Sequence, residues 1–166
     1  MLDEKEVLNS EIAEDTQEGK FLTFQLGREE YAIEIRYVTE IIGIQKITDL
    51  PEMPEYVKGV INLRGKVIPV IDVRLRFGFE PREYDERTCI IVVDIEGLAV
   101  GLIVDAVKEV LDISLTQIDP PPSVSKSAES RYIQGLGKVG EEVKIILNVN
   151  KLLFGEELEK LNQSIS

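Results

Sequence analysis

Histidine is the commonest general base and metal ligand near neutral pH, and this chain of 166 residues has none. What remains is 31 Asp and Glu, 19 Lys and Arg, and one cysteine. Asp94, Glu96 and Asp105 lie within one stretch but lack calcium-loop spacing, and zinc would need Cys or His ligands the chain does not supply. These carboxylates read as turn and edge residues; a folded carboxylate pair for glycoside chemistry stays open as the enzymatic alternative. Cys89 sits in the apolar run TCIIVV and reads as a buried reduced thiol, a reactive thiol being the other option. Gly135-Leu136-Gly137 lacks the third glycine of a dinucleotide loop, and no phosphate loop with Lys-Ser/Thr is present. No cofactor is called for.

One cation stands apart. In GVINLRGKVIPVIDVR, Gly59 to Arg74, β-branched residues flank Asn62-Leu63-Arg64-Gly65, which has turn chemistry. Arg64 then tips a hairpin, either as a solvated turn residue or as a contact that offers several donors to a carboxylate or carbonyl. Ile35, Val38 and Ile41, beside Glu40, are the apolar candidates for a binding surface, with ordinary core as their alternative.

The elements that would position these residues are short strands. FLTFQL passes through residues 27 to 30 into YAIEI as a hairpin, and QKITDLP is strand-like. Val38, Ile41 and Ile42 fall at i, i+3 and i+4, which predicts a short helical turn over 36 to 42. The order then repeats. TCIIVVDIEGLAVGLIV mirrors FLTFQLGREEYAIEI, VKEVL mirrors VTEII, and RYIQGLGKVGEEVKIILNVNKLLFG mirrors EYVKGVINLRGKVIPVIDVRLRFG, pairing Tyr56 with Tyr132 and Gly59 with Gly135. In this alignment Gly135 to Lys138 falls in the turn region of the second copy and carries no arginine. Two copies of a small β unit, each closed into a five-stranded barrel to remove its edges, give a mainly β fold. DPPPSVSKSAES, 119 to 130, reads as a loop, and GEELEKLNQSIS as a C-terminal helix with Leu158 and Leu161 on one face.

The net charge of −12 argues against nucleic acid, whose phosphates need a cationic surface. Seven acids against Lys5 place −6 of it in the first 19 residues. That segment reads as a flexible tail, in which Leu2, Val7, Leu8 and Ile12 suffice for a frayed helix. No apolar run reaches the roughly 20 residues of a membrane helix, and the N-terminus has no secretion-signal pattern, so a soluble intracellular protein is expected. The expected division is an acidic tail over 1–19, one domain over 20–161 made of two β-barrel subdomains, and a short tail over 162–166.

GVINLRGKVIPVIDVR, together with PEYVKG, FLTFQLGREEYAIEI, VTEII, VGLIVDAVKEVL and YIQGLG, resembles the CheW-like coupling proteins of bacterial chemotaxis from about Phe21 to Leu161. The resemblance implies two five-stranded SH3-like barrels and short helical turns. It also implies a non-catalytic, cytoplasmic adaptor, recruited to membrane receptor arrays, that joins chemoreceptor cytoplasmic tips to the histidine kinase CheA. No nucleic acid and no membrane insertion are implied. Coupling of a paralogous kinase outside swimming chemotaxis is the nearby alternative, and a small-ligand-binding or hydrolytic β-barrel the more distant one. By position, Leu22, Ile35, Val38 and Ile41 fall where the family faces the receptor. Glu40 and Arg64 fall where it assembles kinase with receptor, and Val100, Gly101 and Val110 match second-barrel positions.

Overall fold

A computed structural model describes residues 4–12, 18–121 and 128–153 of the chain. Helix α1 covers Glu4–Ile12. Strands follow as β1 Lys20–Leu26, β2 Glu29–Glu34, β3 Val38–Gly43, β4 Val57–Leu63 and β5 Lys66–Asp72, then helix α2 Val73–Arg76. The second half supplies β6 Cys89–Ile95, β7 Leu98–Val104, β8 Ala106–Asp112, β9 Ile118–Asp119, β10 Ile133–Val139, β11 Glu142–Leu147 and helix α3 Val149–Leu153.

The strands form two sheets, a six-stranded one in the order β8-β1-β2-β11-β10-β9 and a five-stranded one in the order β3-β6-β7-β5-β4. The internal repeat maps β1 to β5 onto β6, β7, β8, β10 and β11. Applying that exchange to the five-stranded order reproduces the first five strands of the other sheet. Each sheet therefore combines three strands of one half with the opening hairpin of the other. Parallel pairing of β2 with β11 and of β7 with β5 joins the exchanged hairpins. The same small hydrogen bonds recur in both copies: Asp72 N–H donates to Tyr56 C=O at 2.8 Å, and Asn148 N–H to Tyr132 C=O at 2.7 Å. The expectation of one barrel per contiguous half is corrected by this exchange.

Neither sheet is a closed barrel, because β3 is not laddered to β4, nor β8 to β9. The six-stranded sheet gains β9, which pairs with β10; in the other half the corresponding pairing shrinks to one bridge between Thr48 and Val60. Residues 36 to 42 also differ from the predicted helical turn: a 3-10 turn covers Ile35–Tyr37 and the rest is β3. The register shift between Val38 and Glu40 inserts an extra residue, so Val38 and Ile41 face one way although three positions apart. A bulged strand thereby imitates helical spacing. The equivalent shift in β8 lies opposite Leu22 and Phe24. The expected C-terminal helix over GEELEKLNQSIS, with Leu158 and Leu161, lies outside the described residues; α3 precedes it.

Both faces of the inner strands are buried. In β6, Ile90 and Val92 pack within their own curled sheet, while Ile91, Val93 and Ile95 point into a core built from both sheets. Phe21, Ala32, Ile113 and Ile146 form the smaller core of the other sheet. Two-sided burial accounts for unbroken apolar runs such as CIIVV, which an alternating half-exposed strand would not show. Phe24, Tyr31, Phe77 and Tyr132 continue the shared core as a chain of ring contacts with centroids 5.5–6.1 Å apart. Arg76 lies over the repeat-related rings of Tyr56 and Tyr132, 4.3 and 5.2 Å from their centroids.

Candidate partner-binding surface

Arg64 lies in the two-residue turn between β4 and β5, with φ of 52° followed by 89° at Gly65. Both values belong to the left-handed pair of a type I′ hairpin, where glycine is at ease and a side chain is not. Asn62 Oδ1 supports the turn by accepting from Gly65 N–H at 2.8 Å. The β6–β7 hairpin has the same form, with φ of 52° at Glu96 and 86° at Gly97, and Asp94 Oδ1 accepts from Gly97 N–H at 3.1 Å. An Asx residue and a glycine suffice to make this turn, so its chemistry does not call for arginine.

The guanidinium reaches Glu40 on β3 as a two-pronged contact, Nη2 with Oε1 and Nη1 with Oε2 at 3.3 Å. Glu40 raises the arginine's pKa above its ordinary value by hydrogen bonding first and by charge second. The pair spans the unladdered gap between the two ends of the five-stranded sheet. Arg64 remains 69% exposed and Glu40 25%. Beside them is an open concavity of about 520 Å³, lined also by Lys66, Asp94, Leu63 and Ala99. Charges of both signs at its rim can orient a partner, and shallow apolar floor can hold one.

The apolar candidates are elsewhere. Leu22, Ile35, Val38 and Ile41 are 0, 1, 5 and 2% exposed and belong to the core shared by both sheets. In this conformation, packed in that core, they offer a partner almost no area. Val100 is buried in the same core and Val110 packs against its edge. Gly101 has no room for a side chain, since a Cβ there would lie 2.7 Å from Ile90 Cγ2 and Val70 Cγ1. The structure thus brings Glu40 and Arg64 together, leaves Val110 at the core's edge and keeps the remaining candidates inside.

The groups considered for catalysis lie in ties, turns and core. Asp105 is 7% exposed and accepts from Gly27 N–H at 2.7 Å and from Arg74 Nη1 at 2.7 Å, with Arg82 Nη1 3.0 Å away. It ties a β1–β2 turn, α2 and the loop before β6 to one point. Asp94 and Glu96 lie in the turn already described. Cys89 is buried. Among the described residues no cluster of His, Cys, Asp or Glu could hold a metal ion, and no helix is long and apolar enough to cross a membrane.

Sequence reasoning missed how α1 is seated. The helix packs on β3 and on β8. Its Leu8 is buried in the shared core, and Asn9 bonds both backbone groups of Ile41. Leu8 was visible as an apolar residue within an acidic segment; nothing local marks a carboxamide that pairs with a strand edge.

Residues 20–157 match the family model described as CheW-like domain. The chain is 40% identical over 149 residues to chemotaxis protein CheW of Klebsiella aerogenes, with 90% of each chain covered. It is 36% identical over 151 residues to chemotaxis protein CheW of Helicobacter pylori, covering 90% of this chain and 91% of the other. The crystal structure of scaffolding protein TtCheW from Thermoanaerobacter tengcongensis superimposes with a TM-score of 0.77 at 40% identity, over 84% of this chain and 94% of that one. Fold and similarity over most of the chain agree: the chain belongs to the CheW-like domain family.

Proposed function

We propose that this protein is a non-catalytic chemotaxis adaptor in the cytoplasm, joining the cytoplasmic tips of chemoreceptors to the histidine kinase CheA within receptor arrays. Family membership supports the role, and relatives named chemotaxis protein CheW support its setting. The observation that carries the site is Arg64. A long cation is kept in a left-handed turn position, mostly exposed, and aimed by Glu40 at the gap in the five-stranded sheet. Glu96 shares this φ in the β6–β7 turn, so what singles out Arg64 is the exposed, forked pair with Glu40 rather than the backbone.

In this reading Arg64 and Glu40 make the polar contact of the assembled complex. Leu22, Ile35, Val38 and Ile41, with Val100, Gly101 and Val110, shape the apolar region against which a receptor hairpin lies. The functional domain is residues 20–161, with the acidic segment 1–19 and the short segment 162–166 outside it.

The test is co-purification with a chemoreceptor cytoplasmic fragment and CheA, followed by a reconstituted kinase assay. The native chain is expected to retain both partners and place kinase activity under receptor control. Arg64→Ala is expected to fold normally and to lose that control. Retention of neither partner by the native chain would overturn the role, and an unchanged response in the variant would return Arg64 to an ordinary turn.

A further inference from the structure

Helix α1 touches the rest of the molecule at an unusual place. It packs on β3 and β8, each an outermost strand of its sheet and the repeat equivalent of the other. At about 1.5 Å per residue its nine residues span roughly 13 Å, long enough to lie across both edges and too short to stay helical alone in water. Docking keeps it folded. Two side chains serve as anchors. Leu8 is 4% exposed within the shared core, while its neighbour Val7 is 42% exposed. Asn9 Oδ1 accepts from Ile41 N–H at 3.0 Å, and Asn9 Nδ2 donates to Ile41 C=O at 3.2 Å.

One carboxamide therefore satisfies both backbone groups that β3, as an edge strand, turns outward at Ile41. Such recognition reads main chain and one apolar pocket, so another helix with an apolar residue followed by a carboxamide meets the same requirements. Val38, Ile41 and Val110 lie on the two strands that α1 packs against. They are the residues that the adaptor reading gives to an apolar partner helix, and two of them are buried with α1 in place. A helix docking on both strands at Ile41 meets α1 already bonded there.

We propose that the space between the β3 and β8 edges is a helix-docking seat, which α1 fills in the free protein and an amphipathic receptor helix fills by displacing it. This rests on the adaptor reading above and adds self-occlusion of its apolar site. The polar contact at Arg64 stays open throughout, so a partner can engage there before α1 leaves.

The experiment uses the full chain with Asn9→Ala and, separately, Leu8→Glu, a chemoreceptor cytoplasmic fragment as probe, and a synthetic peptide of residues 1–17 as competitor. Amide hydrogen exchange at Ile41 reports docking of α1 and is expected to speed up in both variants. If α1 fills its seat about nine-tenths of the time, undocking raises receptor-fragment affinity about tenfold, and added peptide reverses the gain. Faster exchange at Ile41 with unchanged or weaker receptor binding in both variants would overturn the inference while leaving the adaptor reading intact. Exchange unchanged in both variants would show that the anchors do not hold α1, which also overturns it. Absence of receptor binding by native and variant chains alike would remove the adaptor reading and the inference with it.

Discussion

At equivalent points of the duplicated fold, the first half turns its β4–β5 hairpin on Arg64 with φ of 52° and the second turns its β10–β11 hairpin at Gly140 with φ of 62°. The ladders fix this correspondence: Val57 opposite Ile71 and Gly59 opposite Val70 match Ile133 opposite Leu147 and Gly135 opposite Ile146, register shift included. Gly135 to Lys138, aligned with the turn from sequence, are strand residues, and the true tip lies at Gly140 and Glu141. The fold accepts a glycine where the first half keeps a strained arginine. What the two halves share shows what the scaffold requires, and what only one half has shows what was added to it. Tight packing at Gly59 and Gly135 is shared in kind but not in degree; the Tyr84–Asp72 bond and the Glu40–Arg64 pair belong to the first half.

The largest separation between the halves is expected at the two glycines. A Cβ on Gly59 would lie 2.0 Å from Thr48 C=O oxygen, and φ is 140°. That oxygen already accepts from Val60 N–H at 2.9 Å and cannot withdraw without breaking the bridge. At Gly135 the nearest obstacles are Ile118 Cγ2 at 2.8 Å and Asp119 C=O oxygen at 3.0 Å, with φ outside the left-handed range. Gly59→Ala should cost more than about 3 kcal/mol and Gly135→Ala about 1–2 kcal/mol in denaturant unfolding. Equal costs would mean that Thr48 is not held at this point.

A smaller effect is expected at Asp72, whose counterpart is Asn148. Each accepts from a backbone N–H in the helix that follows, Asp72 from Leu75 and Asn148 from Lys151. Asp72, 3% exposed, also accepts from Tyr84 Oη at 2.7 Å. Burial first, then this carboxylate, push the Tyr84 pKa well above the ordinary tyrosine range. The folded-state pKa is raised, so Tyr84 contributes its full stability below the unfolded value of about 10 and loses it as pH rises beyond that. Tyr84→Phe should cost about 1 kcal/mol at pH 7 and flatten the fall in stability above pH 10. Absorbance titration should show a late-ionising tyrosine that Tyr84→Phe removes. Identical alkaline profiles for variant and native chain would remove the bond's role. Subtraction is needed because Lys144 loses stability in the same range: burial opposes its charge, but the hydrogen bonds it donates to Glu30 and Glu142 win and raise its pKa.

Much of this was legible beforehand, and the failures have common causes. The repeat and the β class could be read because apolar alternation and turn residues are local signals. The exchange of opening hairpins could not, since β1–β2 and β6–β7 are equivalent and swapping them leaves every local pattern unchanged. Residues 38 to 42 looked helical because a bulge converts a period of two into a spacing of three. Val38 and Ile41 looked like surplus apolar surface because strands buried on both faces carry more aliphatics than one core would need. Arg64 was found through its turn residues and Glu40 through the resemblance; that the two pair, though distant in sequence, became visible only when β3 and the β4–β5 tip came together.

The smallest cost to the fold is expected where the functional loss is greatest. Arg64→Gly gives the first half the residue type that the second half already uses at this turn. It removes a side chain from a left-handed position and also removes an exposed ion pair, two small effects of opposite sign. The melting temperature should therefore stay level or rise slightly, whereas receptor control of CheA activity should be lost as fully as in Arg64→Ala. Arg64→Lys keeps the charge but not the forked contact with Glu40, and should restore control only in part. A variant that melts well below the native chain would show that the arginine supports the fold, and a glycine variant with normal control would show that the difference between the two tips carries no function. Stability retained with coupling lost would mark Arg64 as an addition to a scaffold that does not need it.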